Sequence, residues 1–341
     1  MKKRILFIIV TLMLCAILGA LLYAGTYVYA FLYVPPNEIA AEKIVLIKRG
    51  TSLRGIAETL EHEGVVSDKD LFMILARYYR EGKSVKAGEY RFSTSMLPTD
   101  VLEMLQDGKI FFRTATIPEG YTSFQIAELL DTLGYAPKEE FLELAFNKEL
   151  AAELKIEADN LEGYLFPNTY FIHRGMNTED IIRRMVQQFR QVITPDVRQA
   201  AEQAGLTVHE VVTLASIIEK EAGVGEEREL ISAVYNNRLR INMKLDSDPT
   251  VIYGIKNFNG NLTKVDLQTD TPYNTYKRRG LPPGPIANPG EASILAALNP
   301  ADVKYLYFVA RNDGTHQFST NYNDHLRAVR KYQRNRKSGG G

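Results

Sequence analysis

The hydrophobic pattern begins with one long apolar segment. Ile5–Val34 contains 30 consecutive residues without a charge, whereas a helix needs roughly 20 residues to cross a bilayer. The basic stretch Lys2–Arg4 precedes it, and positive residues favour the cytoplasmic side. The pattern predicts a cytoplasmic tip (1–4), a transmembrane helix (5–27) and an external stalk (28–43). A cleaved signal peptide is the alternative, but its apolar region is usually about 7 to 15 residues long.

After the stalk, one pattern of apolar and polar positions occurs twice. Residues 45–75 and 115–144 align at an offset of 70, with Gly50 over Gly120 and Gly64 over Gly134. Each copy predicts a strand, a turn at the first glycine, an amphipathic helix, a stop at the second glycine and another helix. Two copies are too few for a solenoid. They predict a duplicated α+β region over residues 44–155.

The first copy resembles the LysM glycan-binding module. It has the strand, helix, helix order, and "AGEYRF" (Ala87–Phe92) supplies a second strand. A duplicated α+β unit that only packs against the next domain is the alternative, because similarity of fold does not establish a binding site.

Residues 156–335 show a mixed pattern that predicts a second domain. "LEGYLFPNTYFI" (161–172) predicts a rigid turn leading into a strand, and residues 180–192 an amphipathic helix. Thr194 and Thr207 are predicted N-caps of the next two helices. A further helix follows Glu226, then a loop through Asp248 and Pro249, and finally a β-hairpin that turns at Asn312, Asp313 and Gly314. The glycine-rich end, residues 336–341, is predicted to be a disordered tail.

Two glutamates end the apolar helix "TLASIIEKEAG". At about 100° per residue, Glu221 lies on the face of Leu214, Ile217 and Ile218, whereas Glu219 lies elsewhere. A carboxyl group beside aliphatic side chains loses hydration, which raises its pKa and suits it to donate a proton. The alternative is that both glutamates are solvated residues at a frayed helix end.

Composition narrows the choice of function. The 41 basic and 41 acidic residues cancel, so no overall field draws the chain to nucleic acid. Cys15 is the single cysteine and lies in the apolar segment, which rules out an internal disulfide. The five histidines are scattered without a metal-binding motif. We therefore expect no metal, no cofactor and no nucleic-acid partner.

An irregular segment over 270–293 is rich in Tyr, Asn, Thr, Pro and Gly. Long loops of this kind usually line sites, and tyrosine and asparagine can bind uncharged sugars by stacking and hydrogen bonding. Tyr253, Tyr273, Asn274 and Thr275 are therefore predicted to hold sugars, with packing as the alternative for the tyrosines.

These segments, in this order, resemble the YceG-like family of endolytic murein transglycosylases. The resemblance rests on "GYLFPNTY" (163–170), "ASIIEKEA" (215–222), "NRL" (237–239), "DPTVIYG" (248–254), "YNTY" (273–276), "GLPPGPIANPG" (280–290) and "HQFSTNYNDH" (316–325). It implies that Glu221, the second glutamate of "EKE", is the catalytic acid. Asn168 stands where the family usually has aspartate. Asp246, a further candidate for substrate binding, stands where glutamine is common.

The resemblance implies an α+β enzyme of the inner membrane: one transmembrane helix, a LysM-like subdomain, and a mixed α/β catalytic domain with a helix-borne glutamate. It would act in the periplasm on nascent peptidoglycan strands and leave 1,6-anhydro ends, in partnership with peptidoglycan synthases. A lytic transglycosylase needs a single carboxyl group, whereas a lysozyme-type hydrolase normally uses two. A muramidase and a non-catalytic glycan-binding scaffold are the alternatives. Glu219, Glu226 and Glu227 are interpreted as solvated.

Overall fold

A computed structural model describes residues 2–79, 85–174, 176–256 and 258–334. The tail predicted at 336–341 lies outside these residues. The chain divides into two compact units. Unit 1 comprises Met1–Arg113 and Phe171–Met176, and unit 2 comprises Thr114–Tyr170 and Asn177–Gly341.

The first helix of unit 1, α1 (Lys2–Tyr33), is one continuous helix. Its mean hydropathy reaches 3.0 over an 18-residue window, so it is long and apolar enough to cross a membrane. It continues beyond residue 27, where the predicted span ends. Near its end, Phe31 is buried in the core of unit 1, and the hydroxyl of Tyr27 donates a 2.8 Å hydrogen bond to Asp68. The first residues of the predicted stalk are therefore helical.

The rest of unit 1 is a small α+β fold. Strand β1 (Glu42–Ile47) is followed by α2 (Leu53–His62), α3 (Lys69–Tyr78), β2 (Gly88–Ser93) and α4 (Pro98–Asp107). β1 and β2 are antiparallel, with Val45 opposite Tyr90. The strand predicted from "AGEYRF" is thus present. Apolar faces of all these elements form one core, which includes Val45, Leu60, Phe72, Tyr90, Phe92 and Leu105.

The sequence repeat is visible in the backbone. Gly50 and Gly120 have φ values of 80° and 73°, and Gly64 and Gly134 have values of 70° and 69°. Only glycine adopts this left-handed region at little cost. The second copy consists of β3 (Arg113–Thr116), α5 (Ser123–Thr132) and α6 (Lys138–Ala145), and β3 pairs with β4 (Thr169–Ile172). The helices of this copy belong to unit 2, so the predicted region 44–155 is divided after Arg113.

Unit 2 is mostly helical. After α6 and β4 its elements are α7 (Lys148–Glu153), α8 (Thr178–Val192), α9 (Pro195–Gln203), α10 (Val208–Glu221), α11 (Arg228–Arg240), α12 (Asp248–Gly254), α13 (Lys264–Gln268), α14 (Glu291–Leu298), β5 (Tyr307–Ala310), β6 (His316–Ser319) and α15 (Tyr322–Val329). Helix α7 precedes β4 in the chain. Short 3₁₀ and π turns occupy Gly225–Glu227 and Arg330–Arg334.

Local signals in the sequence explain where several of these elements begin. Thr194 caps α9, and Thr207 forms a capping box with Glu210 at the start of α10, as predicted. The hairpin β5–β6 turns through Asn312 and Gly314, both with positive φ. The loop predicted at Asp248 is wrong, because α12 begins there; Pro249 is compatible with the first turn of a helix.

Candidate active site

Helix α10 lies at the centre of unit 2. All eight residues from Val211 to Ile218 are buried, and the helix packs against α14, α11 and α12. Glu221 is its last residue, so its side chain sits where the buried helix reaches the edge of the core. Two residues later, a Cβ atom on Gly223 would lie 2.5 Å from the carbonyl oxygen of Gly314. The β5–β6 turn therefore packs directly against the chain that leaves α10.

The carboxyl group of Glu221 is held by two hydroxyl groups. Ser247 Oγ donates to Oε1 at 2.8 Å, and the Tyr235 hydroxyl donates to the same oxygen at 3.0 Å. Among the described residues none donates to Oε2, which leaves that oxygen free to carry a proton. Tyr235 is buried on α11, so one of the two donors has a fixed position.

Burial raises the pKa of Glu221, and the charge of Asp248 raises it further. The hydrogen bonds from Ser247 and Tyr235 and the charge of His316 oppose this shift. The sequence predicted desolvation by aliphatic neighbours; in the structure the desolvated carboxyl group also has polar partners. A carboxyl group of this kind can hold a proton near neutral pH and is stabilised when it loses one.

Thr275 and Asn274 lie behind this arrangement. Both are buried. Thr275 Oγ1 accepts a 3.0 Å bond from the Ser247 amide and lies 2.8 Å from Thr250 Oγ1, and Asn274 donates to Thr269 O at 2.6 Å. The predicted sugar contacts do not fit this burial. Thr275 instead positions Ser247, and Asn274 fixes the chain that precedes it by donating to the carbonyl oxygens of Leu267 and Thr269.

Three carboxyl groups, those of Asp248, Asp246 and Glu221, act on the Tyr276 hydroxyl. It donates a 2.7 Å bond to Asp248 Oδ1. Burial chiefly raises the pKa of Tyr276, and the charges of Asp248, Asp246 and Glu221 add to the shift. Asp246 has a φ of 45°, and Oδ2 lies 3.7 Å from Arg238 Nη1. The predicted substrate residue Asp246 and the candidate acid Glu221 therefore both raise the pKa of Tyr276.

Glu219 is not solvated, contrary to the sequence interpretation. Its side chain is 8% exposed, and Oε1 lies 3.6 Å from Arg228 Nη2. Oε2 accepts a 3.1 Å bond from the amide of Gly290, the N-cap of α14. Glu119 shares the same guanidinium group at 3.7 Å. Glu219 thus joins three segments of unit 2, a role that its sequence neighbours gave no sign of.

Glu227 was also interpreted as solvated, and this too is wrong. Its side chain is 12% exposed and pairs with His316 Nδ1 at 2.6 Å, and it accepts the His316 amide at 2.9 Å. The His316 ring contacts Phe308, which contacts Tyr235. Since Tyr235 binds Glu221, the Glu227–His316 pair fixes the hairpin beside the candidate acid.

Tyr253 and Tyr273 lie together, with ring centroids 4.9 Å apart. Both are half-buried, so each retains some surface. The Tyr253 hydroxyl donates at 3.1 Å to Oε2 of Glu162, which is 1% exposed. Burial raises the pKa of Glu162 to about 7. Sequence reasoning missed Glu162; its position beside "GYLFPNTY" was the only signal.

Within residues 2–79, 85–174, 176–256 and 258–334, no three His, Cys, Asp or Glu side chains are grouped so that they could hold a metal ion.

Residues 45–331 match the sequence model of the YceG-like family. The chain belongs to this family. A crystal structure of a YceG-like protein from Listeria monocytogenes superposes with a TM-score of 0.59 at 34% identity, covering 84% of this chain and 98% of that one.

Relatives in this family carry a functional name. The endolytic murein transglycosylase of Bacillus subtilis strain 168 is 32% identical over 330 residues, which span 92% of this chain and 91% of the relative. The protein of the same name from Streptococcus pneumoniae strain D39 is 32% identical over 357 aligned residues. That alignment covers 95% of this YceG-like chain but only 64% of the streptococcal protein.

Proposed function

We propose that this YceG-like protein is a membrane-anchored endolytic lytic transglycosylase of peptidoglycan. The observation that carries the proposal is the desolvated carboxyl group of Glu221, held at one oxygen by Ser247 and Tyr235. The name shared by the bacillary and streptococcal relatives supports the substrate and the reaction class.

The first step is protonation of the glycosidic oxygen. Glu221 donates its proton to the oxygen that joins N-acetylmuramic acid to N-acetylglucosamine, and the bond from that oxygen to muramyl C1 breaks. Glu221 becomes a carboxylate, and the hydroxyl groups of Ser247 and Tyr235 then donate to a charged acceptor. Hydrogen bonds to a charged group are stronger than bonds to a neutral one. This favours the transition state over the ground state.

The second step closes a ring within one sugar. The muramyl C6 hydroxyl oxygen attacks C1, and its proton returns to Glu221. One C–O bond breaks and another forms, so no water is consumed and the product is a 1,6-anhydro end. Because the nucleophile belongs to the substrate, proximity replaces a second carboxylate. Tyr253, Tyr273 and Asp246 remain candidates to contact the sugars.

The location follows from α1. We propose that α1 crosses the bacterial inner membrane with Lys2–Arg4 in the cytoplasm, which places the chain after α1 in the periplasm. An anchor confines the enzyme to glycan made close to the bilayer, so cleavage there would end strand elongation. Peptidoglycan synthases are the partners implied by such a role. The LysM-like part of unit 1 is a candidate second contact for glycan.

A muramidase is the second candidate, and one observation favours it. Asp246 and Asp248 both act electrostatically on the Tyr276 hydroxyl together with Glu221. An acid and a nearby second carboxylate are what a hydrolase requires. In that case one aspartate would activate a water, and the product would have a reducing end.

Product analysis separates these functions. The full-length chain in detergent is incubated with purified glycan strands, and the fragments are weighed by mass spectrometry. A transglycosylase gives anhydro ends, which are one water lighter than the reducing ends that a muramidase gives. Glu221→Gln should abolish either product. Cleavage that survives Glu221→Gln would overturn the assignment, and glycan binding without cleavage by the unmodified chain would indicate a scaffold.

A further inference from the structure

A cavity of about 510 Å³ lies in unit 2 at the opposite end of α10 from Glu221. It is lined by the loop after α7 (Glu157–Asn160), by His209 of α10, by Tyr273 and by the segment Pro283–Pro285, with Lys148 at its edge. Its volume is in the range of small-molecule binding sites, which is roughly 300 to 1,000 Å³. Among the residues that line it, only Tyr273 has a part in the proposed function, as a candidate to contact the sugars.

The wall of this cavity is held in place by hydrogen bonds. The ring of His209 is fixed from both sides: Nδ1 lies 2.7 Å from the Tyr164 hydroxyl, and Nε2 lies 2.9 Å from the carbonyl oxygen of Pro283. A Cβ atom on Gly284 would lie 3.5 Å from the His209 ring and 3.6 Å from the Tyr273 hydroxyl. Asn160 is fixed as well, because Oδ1 accepts a 2.9 Å bond from the Glu162 amide. A preformed wall of this kind costs little to order when a ligand binds.

Two helices lead from this cavity to Glu221. His209 and Glu221 are both on α10, and 12 residues of helix separate them by about 18 Å. Helix α12 packs against α10. It has Asp248, which acts on the pKa of Glu221, at its start, and Tyr253, which contacts the Tyr273 ring, near its end. The cavity and the candidate acid therefore lie at opposite ends of the buried helix α10.

We propose that this cavity is a distal saccharide subsite, which binds N-acetylated sugars of the same glycan strand that Glu221 cuts. The inference rests on the proposed function and deepens it. A strand that fills both places gains binding energy from sugars remote from the bond that breaks, and such energy can be used to position the reacting sugar. Strands too short to reach from Glu221 to the cavity gain nothing. The cavity thus selects for long strands and places the cut away from a strand end.

The lining fits a sugar better than an acidic peptide. The Tyr273 ring and the exposed Pro283 ring offer flat apolar surface, and Asn160 and Asp159 offer groups that bind hydroxyl and acetamido groups. Lys148 is already paired with Asp159 at 2.6 Å. Glu157 adds a second negative charge, so the carboxylates of a peptide would meet repulsion.

The test compares long and short substrates. Ala158→Trp would fill the cavity, and the double variant Lys148→Ala, Asp159→Ala would remove two exposed polar groups from its edge without disturbing the core. The control is Asp131→Asn, an exposed aspartate on α5. Full-length proteins in detergent are assayed on long glycan strands and on fragments too short to reach the cavity from Glu221. Both cavity variants should lower kcat/KM on long strands by about tenfold and leave short fragments unchanged.

Binding is measured separately in the Glu221→Gln background, with tri-N-acetylchitotriose and a synthetic stem tripeptide as the probes. Amide or methyl NMR shifts at residues 157–160 with the trisaccharide, lost in Ala158→Trp, would support the subsite. Shifts with the tripeptide alone, or equal losses on long and short substrates, would overturn it. An unmodified enzyme that cleaves nothing would refute the proposed function, whereas cleavage insensitive to the cavity variants would refute only the subsite.

Discussion

The hydroxyl of Ser247 donates a 2.8 Å hydrogen bond to Oε1 of Glu221, although 26 residues separate the two in the chain. Ser247 is itself held from behind, because its amide donates to buried Thr275. The candidate acid thus has a donor whose position is fixed before substrate binds, and the effect of removing that donor can be measured.

Ser247→Ala should slow cleavage by roughly ten- to hundredfold, since a hydrogen bond to a charged group contributes about 1.5 to 3 kcal/mol. The bond from Ser247 lowers the pKa of Glu221, so its loss raises that pKa further. An acid that must be protonated loses activity as the pH rises through its pKa, and the alkaline limb of kcat/KM should move to higher pH. Tyr235→Phe should act in the same direction. Ser95→Ala, in unit 1, is the control; an unmoved alkaline limb in Ser247→Ala would contradict the role given to Glu221.

Glu219→Gln should preserve cleavage and destabilise unit 2. The substitution removes the charge that pairs with Arg228 and weakens acceptance of the Gly290 amide. We expect the free energy of unfolding to fall by roughly 1 to 3 kcal/mol. Glu221→Gln is the matched variant. It should abolish cleavage without lowering the free energy of unfolding in this way. Both proteins are compared by chemical denaturation and by product analysis. Cleavage lost only in Glu219→Gln would show that Glu219 is the acid and that Glu221 is the structural residue.

Glu162 should make stability depend on pH. Burial raises its pKa from 4.5 to about 7 in the folded protein, so the folded state holds this proton more tightly than the unfolded state. The stabilisation is complete below about pH 4.5, is lost as the pH rises and is absent above about pH 7, a change of roughly 3 kcal/mol. Glu162→Gln resembles the protonated form and should remove this part of the slope. Unfolding is followed at pH 5 and pH 8, with exposed Glu139→Gln as the control; equal slopes in the unmodified chain and Glu162→Gln would refute the expectation.

Gly223→Ala should displace the β5–β6 hairpin. The new Cβ atom would lie 2.5 Å from the backbone carbonyl oxygen of Gly314, which can move only if the β5–β6 turn moves with it. We expect a cost of about 1 to 3 kcal/mol in stability and a loss of activity, because the hairpin carries His316. Gly225→Ala is the comparison, since its nearest contact is the flexible end of Arg228 at 3.0 Å. Thermal unfolding and kcat/KM are measured for both, and indistinguishable variants would show that the hairpin position does not matter.

Local signals in the sequence predicted much of the secondary structure. The caps at Thr194 and Thr207 and the turn at Asn312–Gly314 depend on a few neighbouring residues, and each is present as predicted. Such features are readable because their causes lie within one or two turns of the chain.

The surroundings of the glutamates could not be read in this way. Ser247 reaches Glu221 from another segment, and Gly290 binds Glu219 from 71 residues away. Thr275 and Asn274 have residue types that suit a sugar site, yet the fold uses them as internal supports. Periodicity assigns a residue to a face of its helix, but the groups that meet that face are chosen by tertiary packing.

Helix α1 enters the core of unit 1 without an intervening linker. Its 32 residues extend about 48 Å, well beyond the roughly 30 Å hydrocarbon layer of a membrane. The end of α1 that exceeds this thickness is attached to the rest of unit 1, because Phe31 is buried in its core and the Tyr27 hydroxyl donates to Asp68. If α1 crosses a bilayer as proposed, the α+β part of unit 1 is joined to the membrane by a continuous helix rather than by a flexible linker, which would restrict its height and tilt above the lipid headgroups.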